Sequence, residues 1–328
     1  MIQVELNWKW QKNRKNLMKI GIDLGGTKIE VIVLSEQGQA LWRERTATPQ
    51  GNYEGTLDAI KYLIAQAKSK CILSINHPVG IASPGALFLD KGQNSLVLKN
   101  SNSIALNGRP FLDDLKERLA CEVYLENDAN CFALAEALSG VGIEQNKKPK
   151  SVFGVILGTG VGGGLVIQQC LHSGRHHIAG EWGHNTLPAS ALMVLPEAER
   201  NRLCYCGRKD CIETYLSGPG LSKSYSLRFS EDKNSKDIID EMRNMDAQAC
   251  SVWESYVDQL AVSLAQVVNI LDPEIIVLGG GMSLISEIYQ ILPERIQRHV
   301  FTEVFSTPIL PAKLGDSAGV FGAAWLTA

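Results

Sequence analysis

The feature that most constrains this chain is a strand that turns back on itself through glycine, and it occurs twice. Ile22-Asp23-Leu24-Gly25-Gly26-Thr27 is answered, about 133 positions later, by Ile156-Leu157-Gly158-Thr159-Gly160. Each reads strand, glycine turn, strand. A supersecondary unit repeated at that separation predicts a duplicated domain with a cleft between the copies. The length agrees, since 328 residues is about two domains at roughly 150 residues each. A chain of this size buries about three quarters of its unfolded surface, so it needs no disulfide or metal simply to have a core.

Strand and helix signals alternate, which is the α/β pattern. Strands are predicted at Ile20–Leu24, Ile29–Leu34, Ser74–Ala82, Glu122–Leu125 and Glu274–Leu278. Helices are predicted at Tyr53–Ala67, Phe111–Leu119, Ala129–Leu138, Trp253–Leu271 and Gly319–Leu326. Tyr256, Leu260, Leu264, Val267 and Leu271 form one apolar stripe, and Asp272-Pro273 stops that helix. The expected organisation is a small α/β domain over residues 18–126, to which 315–328 returns, and a larger α/β domain over 127–314. Residues 1–17 carry Lys9, Lys12, Arg14 and Lys15 with no recurring apolar face, and read as a flexible extension. The polar stretch 144–150 reads as a surface loop.

Composition excludes several classes. Lys+Arg is 32 against Asp+Glu 35, a net charge of -3, so there is no basic excess for general nucleic-acid binding. Hydrophobic residues at 45% and charged residues at 20% exclude wholesale disorder. Met1–Asn16 holds no apolar run of the secretory kind. Residues 152–171 lack charged side chains, but their glycines and Gln168-Gln169 argue against a membrane span. A cytoplasmic protein is expected.

Asp23-Leu24-Gly25-Gly26-Thr27-Lys28 sets a carboxylate at a strand end, then two glycines, a hydroxyl and an ammonium. Glycines let backbone N–H groups come close to phosphate oxygens, and Asp23 can hold a metal ion through water. A plain hairpin turn would look the same. Thr159 and Gly160 in the second copy favour the phosphate reading, because a nucleotide triphosphate needs a cradle on each wall of a cleft. Gly279-Gly280-Gly281 follows a third strand and suits either a flat adenine or a tight turn. No Walker loop is present.

Asn127-Asp128 falls between a strand and a helix. Asp128 could accept the proton of an attacking alcohol during phosphoryl transfer, with Asn127 bonding neighbouring hydroxyls. Asp after a strand is also a common helix N-cap, and position alone favours the cap.

Of the eight cysteines, Cys204, Cys206 and Cys211 fall within eight residues, which is ligand spacing for a reducing compartment. A structural zinc wants a fourth ligand. His184 is the best candidate, with His176 and His177 as rivals. A zinc on one ring nitrogen of His184 leaves the other carrying hydrogen, and Glu181 and Glu213 are close in sequence to the ligands. The three groups make a plausible wall for a polyol.

Together, Asp23–Lys28, Glu126–Asn130, Leu157–Gly164, Glu181–His184, Cys204–Glu213 and Leu278–Gly281 resemble the ROK family (repressor, open reading frame, kinase) within the actin-like ATPase superfamily. The resemblance runs from Met18 to the end. It implies a duplicated actin-like (ribonuclease H-like) fold of two domains around a cleft. It implies an ATP-dependent hexose kinase with magnesium, a structural zinc on His184, Cys204, Cys206 and Cys211, and a homodimer. By matching positions, Asp128 would be the base, displacing the cap reading. Asn127, Asp128, Glu181, His184 and Glu213 would hold sugar. Asp23, Gly25, Gly26, Thr27, Lys28, Thr159, Gly160 and Gly280 would line the nucleotide site. The chain departs from the family at Asp210, where glycine usually precedes the last zinc cysteine. Asp tolerates positive φ better than most residues, so the loop is expected to survive.

Asn100-Ser101-Asn102-Ser103, Leu106–Phe111 and Cys204-Tyr205-Cys206 look most like bacterial fructokinases (manno-fructokinases), so fructose to fructose 6-phosphate is the expected reaction. N-acetylglucosamine kinases and glucokinases share the core motifs. The family's sugar-responsive repressors need a helix-turn-helix domain ahead of the kinase-like part, which 17 residues cannot supply. An actin-like polymer or chaperone ATPase would have no use for the zinc and polyol groups.

Overall fold

The computed structural model describes residues 18–90, 95–99, 101, 103–144 and 149–328. The readings made for residues 1–17, Asn100, Asn102 and most of the 144–150 loop lie outside the described residues. The chain divides into two compact units. One holds the described residues up to 148 with Cys170–Ile178 and Asp316–Ala328. The other holds Pro149–Gln169 and Ala179–Gly315.

In the first unit, β1 (Lys19–Leu24) and β2 (Lys28–Leu34) form the glycine hairpin, antiparallel with Ile22 opposite Val31. Strand β3 (Ala40–Ala47) pairs antiparallel with β2. It was not predicted, because its middle is a run of charges, Arg43-Glu44-Arg45. Arg43 and Arg45 on β3 reach the buried Glu30 on β2. Helix α1 (Tyr53–Lys70) starts where the Asn52 side chain accepts from Gly55 N–H, and it buries Leu57, Ile60, Ile64 and Ala67. Strand β4 (Val79–Ser83) pairs parallel with β1. The predicted strand from Ser74 begins only at Val79, because the preceding Pro78 has no N–H to give a ladder. An antiparallel pair, β5 (Ala86–Asp90) and β6 (Ser95–Lys99), precedes α2 (Phe111–Leu119). Strand β7 (Val123–Asn127) then pairs parallel with β4, and α3 (Asp128–Leu138) follows it directly. The sheet order is β3-β2-β1-β4-β7.

The C-terminal helix, Ala318–Trp325, lies on this sheet at backbone distance. A Cβ on Gly80 would stand 1.7 Å from the Ala323 carbonyl oxygen, and one on Gly21 would stand 2.4 Å from that of Val320. Only glycine fits under the helix at these two positions. Helix α3 also packs on the C-terminal helix, β4 and β7. It therefore belongs to the first unit, whereas the sequence reading began the second domain at residue 127.

In the second unit, β8 (Ser151–Leu157) and β9 (Val161–Ile167) form the second hairpin. Among the helices that follow are α4 (Gly218–Phe229), α5 (Ser235–Arg243) and α6 (Ala247–Leu271). Helix α6 ends at Asp272, in the left-handed region at φ 41°. Strand β10 (Ile275–Gly279) pairs parallel with β8; α7 (Glu287–Gln297) and β11 (Ile309–Pro311), parallel to β10, complete the unit. The order β9-β8-β10-β11, an antiparallel hairpin flanked by two parallel strands, repeats β2-β1-β4-β7. Duplication is thus present in topology as well as in the glycine motif. Tyr215, Tyr225 and Tyr256 anchor the core, with Tyr256 Oη donating to the Leu216 carbonyl at 3.0 Å. Among the described residues, no helix is long and apolar enough to cross a membrane.

Gly80→Ala should destabilise the first unit by at least ~2 kcal/mol, since the methyl meets backbone that cannot rotate away. Denaturant unfolding measures this. A loss below about 0.5 kcal/mol would show that the helix sits farther from the sheet than described.

Candidate active site

Parallel pairing sets the strand ends of the first unit level with one another. Asp23 lies opposite Ala82, Ala82 opposite Glu126, and Ser83 opposite Asn127. The Asn127 side-chain oxygen accepts from Asn130 N–H at 2.7 Å, so Asn127 is the N-cap of α3 and Asp128 is its first helical residue. The cap role that position favours for Asp128 is filled by its neighbour Asn127. Glu126 steadies this turn by accepting from Asn130 Nδ2 at 2.9 Å and Ser173 Oγ at 2.5 Å.

The charges here are crowded. Burial, followed by the charges of Asp128 and Glu30, pushes Asp23 up to about 6. Burial raises Asp128 as well, against the pull of backbone N–H groups. Lys28 acts on Asp23 in the opposite sense. The hairpin itself is pinned from outside the glycines. Gly25 N–H donates to Lys28 O at 2.9 Å, Thr48 Oγ donates to Gly25 O at 2.7 Å, Thr48 N–H donates to Thr27 O at 3.0 Å, and Gln50 donates to Gly26 O at 3.1 Å. A Cβ on Gly26 would meet no protein atom within 4 Å. Glycine there leaves open ground over the backbone, as close approach by phosphate oxygens requires. A cavity of about 340 Å³ opens beside it, lined by Leu24, Gly26, Thr48, Thr56, Ser103 and Leu106.

In the second unit, Gly158, Thr159 and Gly160 form the turn between β8 and β9, closed by Gly158 N–H on Gly160 O at 2.9 Å. Glu213 braces it: Oε2 accepts from Val161 N–H at 2.9 Å and lies where a Gly160 Cβ would intrude. Gly280, at φ 82°, closes over the Leu157 carbonyl, which a Cβ would approach to 2.4 Å. The first turn of α4 joins the same strand ends, with Gly218 N–H donating to Gly158 O at 2.8 Å. Sequence reading missed this turn, although Ser217 followed by Gly218-Pro219-Gly220 is a capped helix start with proline inside it.

His184, Cys204, Cys206 and Cys211 bring one ligand atom each to a group within 4.8 Å of one another. Cys204 Sγ is 3.6 Å from His184 Nδ1, and Cys206 Sγ is 3.6 Å from Cys211 Sγ. A tetrahedral zinc with bonds of 2.0–2.3 Å has ligand-to-ligand edges of roughly 3.5–3.8 Å, so the donor set fits zinc. His184 is the histidine of this group, ahead of His176 and His177. Two features shape the loop. Gly207, at φ 85°, turns it, and a two-residue bridge joins Leu203 to Lys209. Asp210 takes φ 56°, and its carboxylate is used: Oδ1 accepts from Arg202 N–H at 2.9 Å and Tyr215 Oη at 2.5 Å. The departure from glycine is thereby compensated by bonds glycine could not make. Glu181 precedes the turn Trp182–His184, whose Trp182 donates to Gly162 O at 2.9 Å. His184 Nε2 faces Tyr205 Oη at 2.9 Å, so the nitrogen expected to meet sugar already has a partner from the zinc loop. Tyr205 entered the sequence reading only as part of Cys204-Tyr205-Cys206, with no role of its own.

A glycine hairpin at the strand ends of each unit, on a repeated sheet order, is the arrangement of the actin-like ATPase fold. Residues 19–328 match the profile of the ROK family. The N-acetyl-D-glucosamine kinase of Yersinia pseudotuberculosis is 38% identical over 309 residues, covering 94% of this chain and 98% of that protein. The ROK hexokinase of Thermus thermophilus is similar in structure with a TM-score of 0.80 at 28% identity, covering 95% of this chain and 98% of its own. A ROK family glucokinase from Streptomyces griseus, in complex with glucose and AMPPNP, gives a TM-score of 0.65 at 29% identity, covering 94% and 98%. The chain belongs to the ROK family and is a sugar kinase of that family. The expected likeness to fructokinases is not supported: the relatives carry the name of an N-acetyl-D-glucosamine kinase.

Asp23 supplies a pH test. Its pKa is raised from 3.8 to about 6, so the fold favours the protonated form. That contribution is fully present below the unfolded value and is lost as pH rises through about 6. Asp23→Asn should therefore raise the melting temperature of ligand-free protein by roughly 2–5 °C near pH 8, and change it little near pH 4. An equal shift at both pH values, or a lower melting temperature at pH 8, would contradict the crowding described.

Proposed function

We propose that this ATP-dependent sugar kinase is an N-acetyl-D-glucosamine kinase, transferring the γ-phosphate of ATP to the sugar 6-hydroxyl. The observation that carries the reading is the 38% identity to an N-acetyl-D-glucosamine kinase along nearly the full length of both chains. Glucose is the second candidate, on the strength of the Streptomyces griseus glucokinase. The setting is the cytoplasm, where ATP and reduced thiols coexist.

Asp128 is the general base. One oxygen, Oδ1, accepts from Ala129 N–H at 2.9 Å, and the carboxylate takes the proton of the sugar hydroxyl as that hydroxyl oxygen attacks the γ-phosphorus. Burial raises its affinity for that proton toward the working pH, which favours transfer. Asn127, Glu181, His184 and Glu213 bind and orient the sugar. Gly25, Gly26, Thr27 and Lys28 of one hairpin and Thr159 and Gly160 of the other receive the phosphates, and Gly280 admits the adenine. Magnesium bound with ATP supplies charge neutralisation on the phosphates, and Asp23 is the carboxylate suited to hold it through water. Zinc on His184, Cys204, Cys206 and Cys211 is structural. It fixes the loop that presents Glu213, and through Glu213 the β8–β9 turn.

Turnover measured on N-acetylglucosamine, glucose, fructose, mannose and N-acetylmannosamine should give the highest kcat/KM for N-acetylglucosamine; fructose in first place would overturn the assignment. Asp128→Asn should keep sugar binding and lower kcat by about 10²–10⁴, and near-normal turnover would remove Asp128 from the role of base. Cys206→Ala should lose zinc and sugar affinity together. Metal analysis that finds no zinc in wild-type protein purified without chelator would end the zinc reading.

A further inference from the structure

Tyr205 stands between two of the clustered cysteines and is 70% exposed, yet it is tied to the centre of the group. Its Oη lies 2.9 Å from His184 Nε2, and its ring packs edge-on to the imidazole at 5.1 Å and 81°. The other imidazole nitrogen, Nδ1, is the one that faces Cys204 Sγ. With a zinc held by Nδ1 beside Cys204 Sγ, Nε2 would carry the hydrogen and the phenol oxygen would accept it. A phenol that accepts in this way keeps its own O–H to give, and accepting strengthens it as a donor. His184, Glu181 and Glu213 are each partly buried, and Tyr205 is the exposed member of the set.

We propose that Tyr205 is a sugar-binding residue of this kinase: anchored on His184, its phenol makes the hydroxyl contact that the imidazole N–H would otherwise make. The inference rests on the reading of Glu181, His184 and Glu213 as the sugar-recognition group. It moves the outermost hydrogen-bonding atom of that group from a ring nitrogen to a hydroxyl that both donates and accepts. A residue of that kind discriminates among hexoses by where their hydroxyls fall, because a mismatched polar group is left unpaired.

Tyr205→Phe is the test, since it keeps the ring and its edge contact and removes only the oxygen. Zinc content, melting temperature, ATP KM and kcat should stay near wild type. Sugar KM, and sugar Kd by calorimetry without turnover, should rise about 3–10-fold. Wild-type sugar affinity in Tyr205→Phe would overturn the proposal. So would tighter binding, which would mean that the phenol competes with sugar for His184, and so would loss of zinc, which would make Tyr205 a part of the metal site. The comparison uses whichever hexose the wild-type enzyme phosphorylates best, so it stands even if N-acetylglucosamine is not that sugar. Glu181→Gln, measured alongside, tests the underlying recognition group separately, because unchanged sugar affinity there would fault that reading and not the phenol.

Discussion

The parallel pairing of β4, with β1 on one side and β7 on the other, is the interaction on which the first unit's chemistry depends. Backbone hydrogen bonds fix which residues end level, and they set Asp23, Ser83 and Asn127 along one edge. Everything beyond that edge follows. Helix α3 starts at once, so Asn127 caps it and Asp128 stands in its first turn, accepting from Ala129 N–H. The same levelling brings Asp128 within electrostatic range of Asp23, where its charge adds to burial in raising the Asp23 carboxyl.

The second unit solves a related problem with one side chain. Its glycine turn has few side-chain atoms of its own with which to hold a shape. Glu213 supplies the missing bond by accepting from Val161, and it sits two residues past Cys211. Any disturbance of the cysteine loop therefore has a short route to the β8–β9 turn. Asp210 shows how firmly that loop is held from below. Its carboxylate joins Arg202 and Tyr215, and Arg202 lies over the Tyr215 ring at 4.1 Å. Glu199, fully buried, pairs with Arg202 and Arg228 in the same layer.

Local signals were legible in the sequence. The two glycine hairpins, the stripe of α6 and its stop at Asp272-Pro273 depend on neighbours a few positions apart. The gathering of Cys204, Cys206 and Cys211 was legible for the same reason, while His184 joins them across twenty positions. Three things were not. Strand β3 carries three charges in a row, Arg43-Glu44-Arg45, and two of them are met by Glu30, buried on the neighbouring strand. The choice between Asn127 and Asp128 as cap turns on one hydrogen bond, and both residue types cap well. The preferred hexose is set by the placement of a few hydrogen-bonding atoms, and not by which residue types are present.

Gly21 and Gly80 have a consequence for how the chain is made. Their bare backbone is matched to Val320, Ala323 and Ala324, which are synthesised roughly 240–300 residues later. Until those residues emerge, one face of β1 and β4 has no cover, although both strands are complete. The first unit to be translated is thus the last to be finished. The second unit's own strands and helices are all available before it. A nascent chain of this kind holds an open sheet face for most of its synthesis, and β1 and β4 meet it with small residues that expose little apolar surface to a wrong partner.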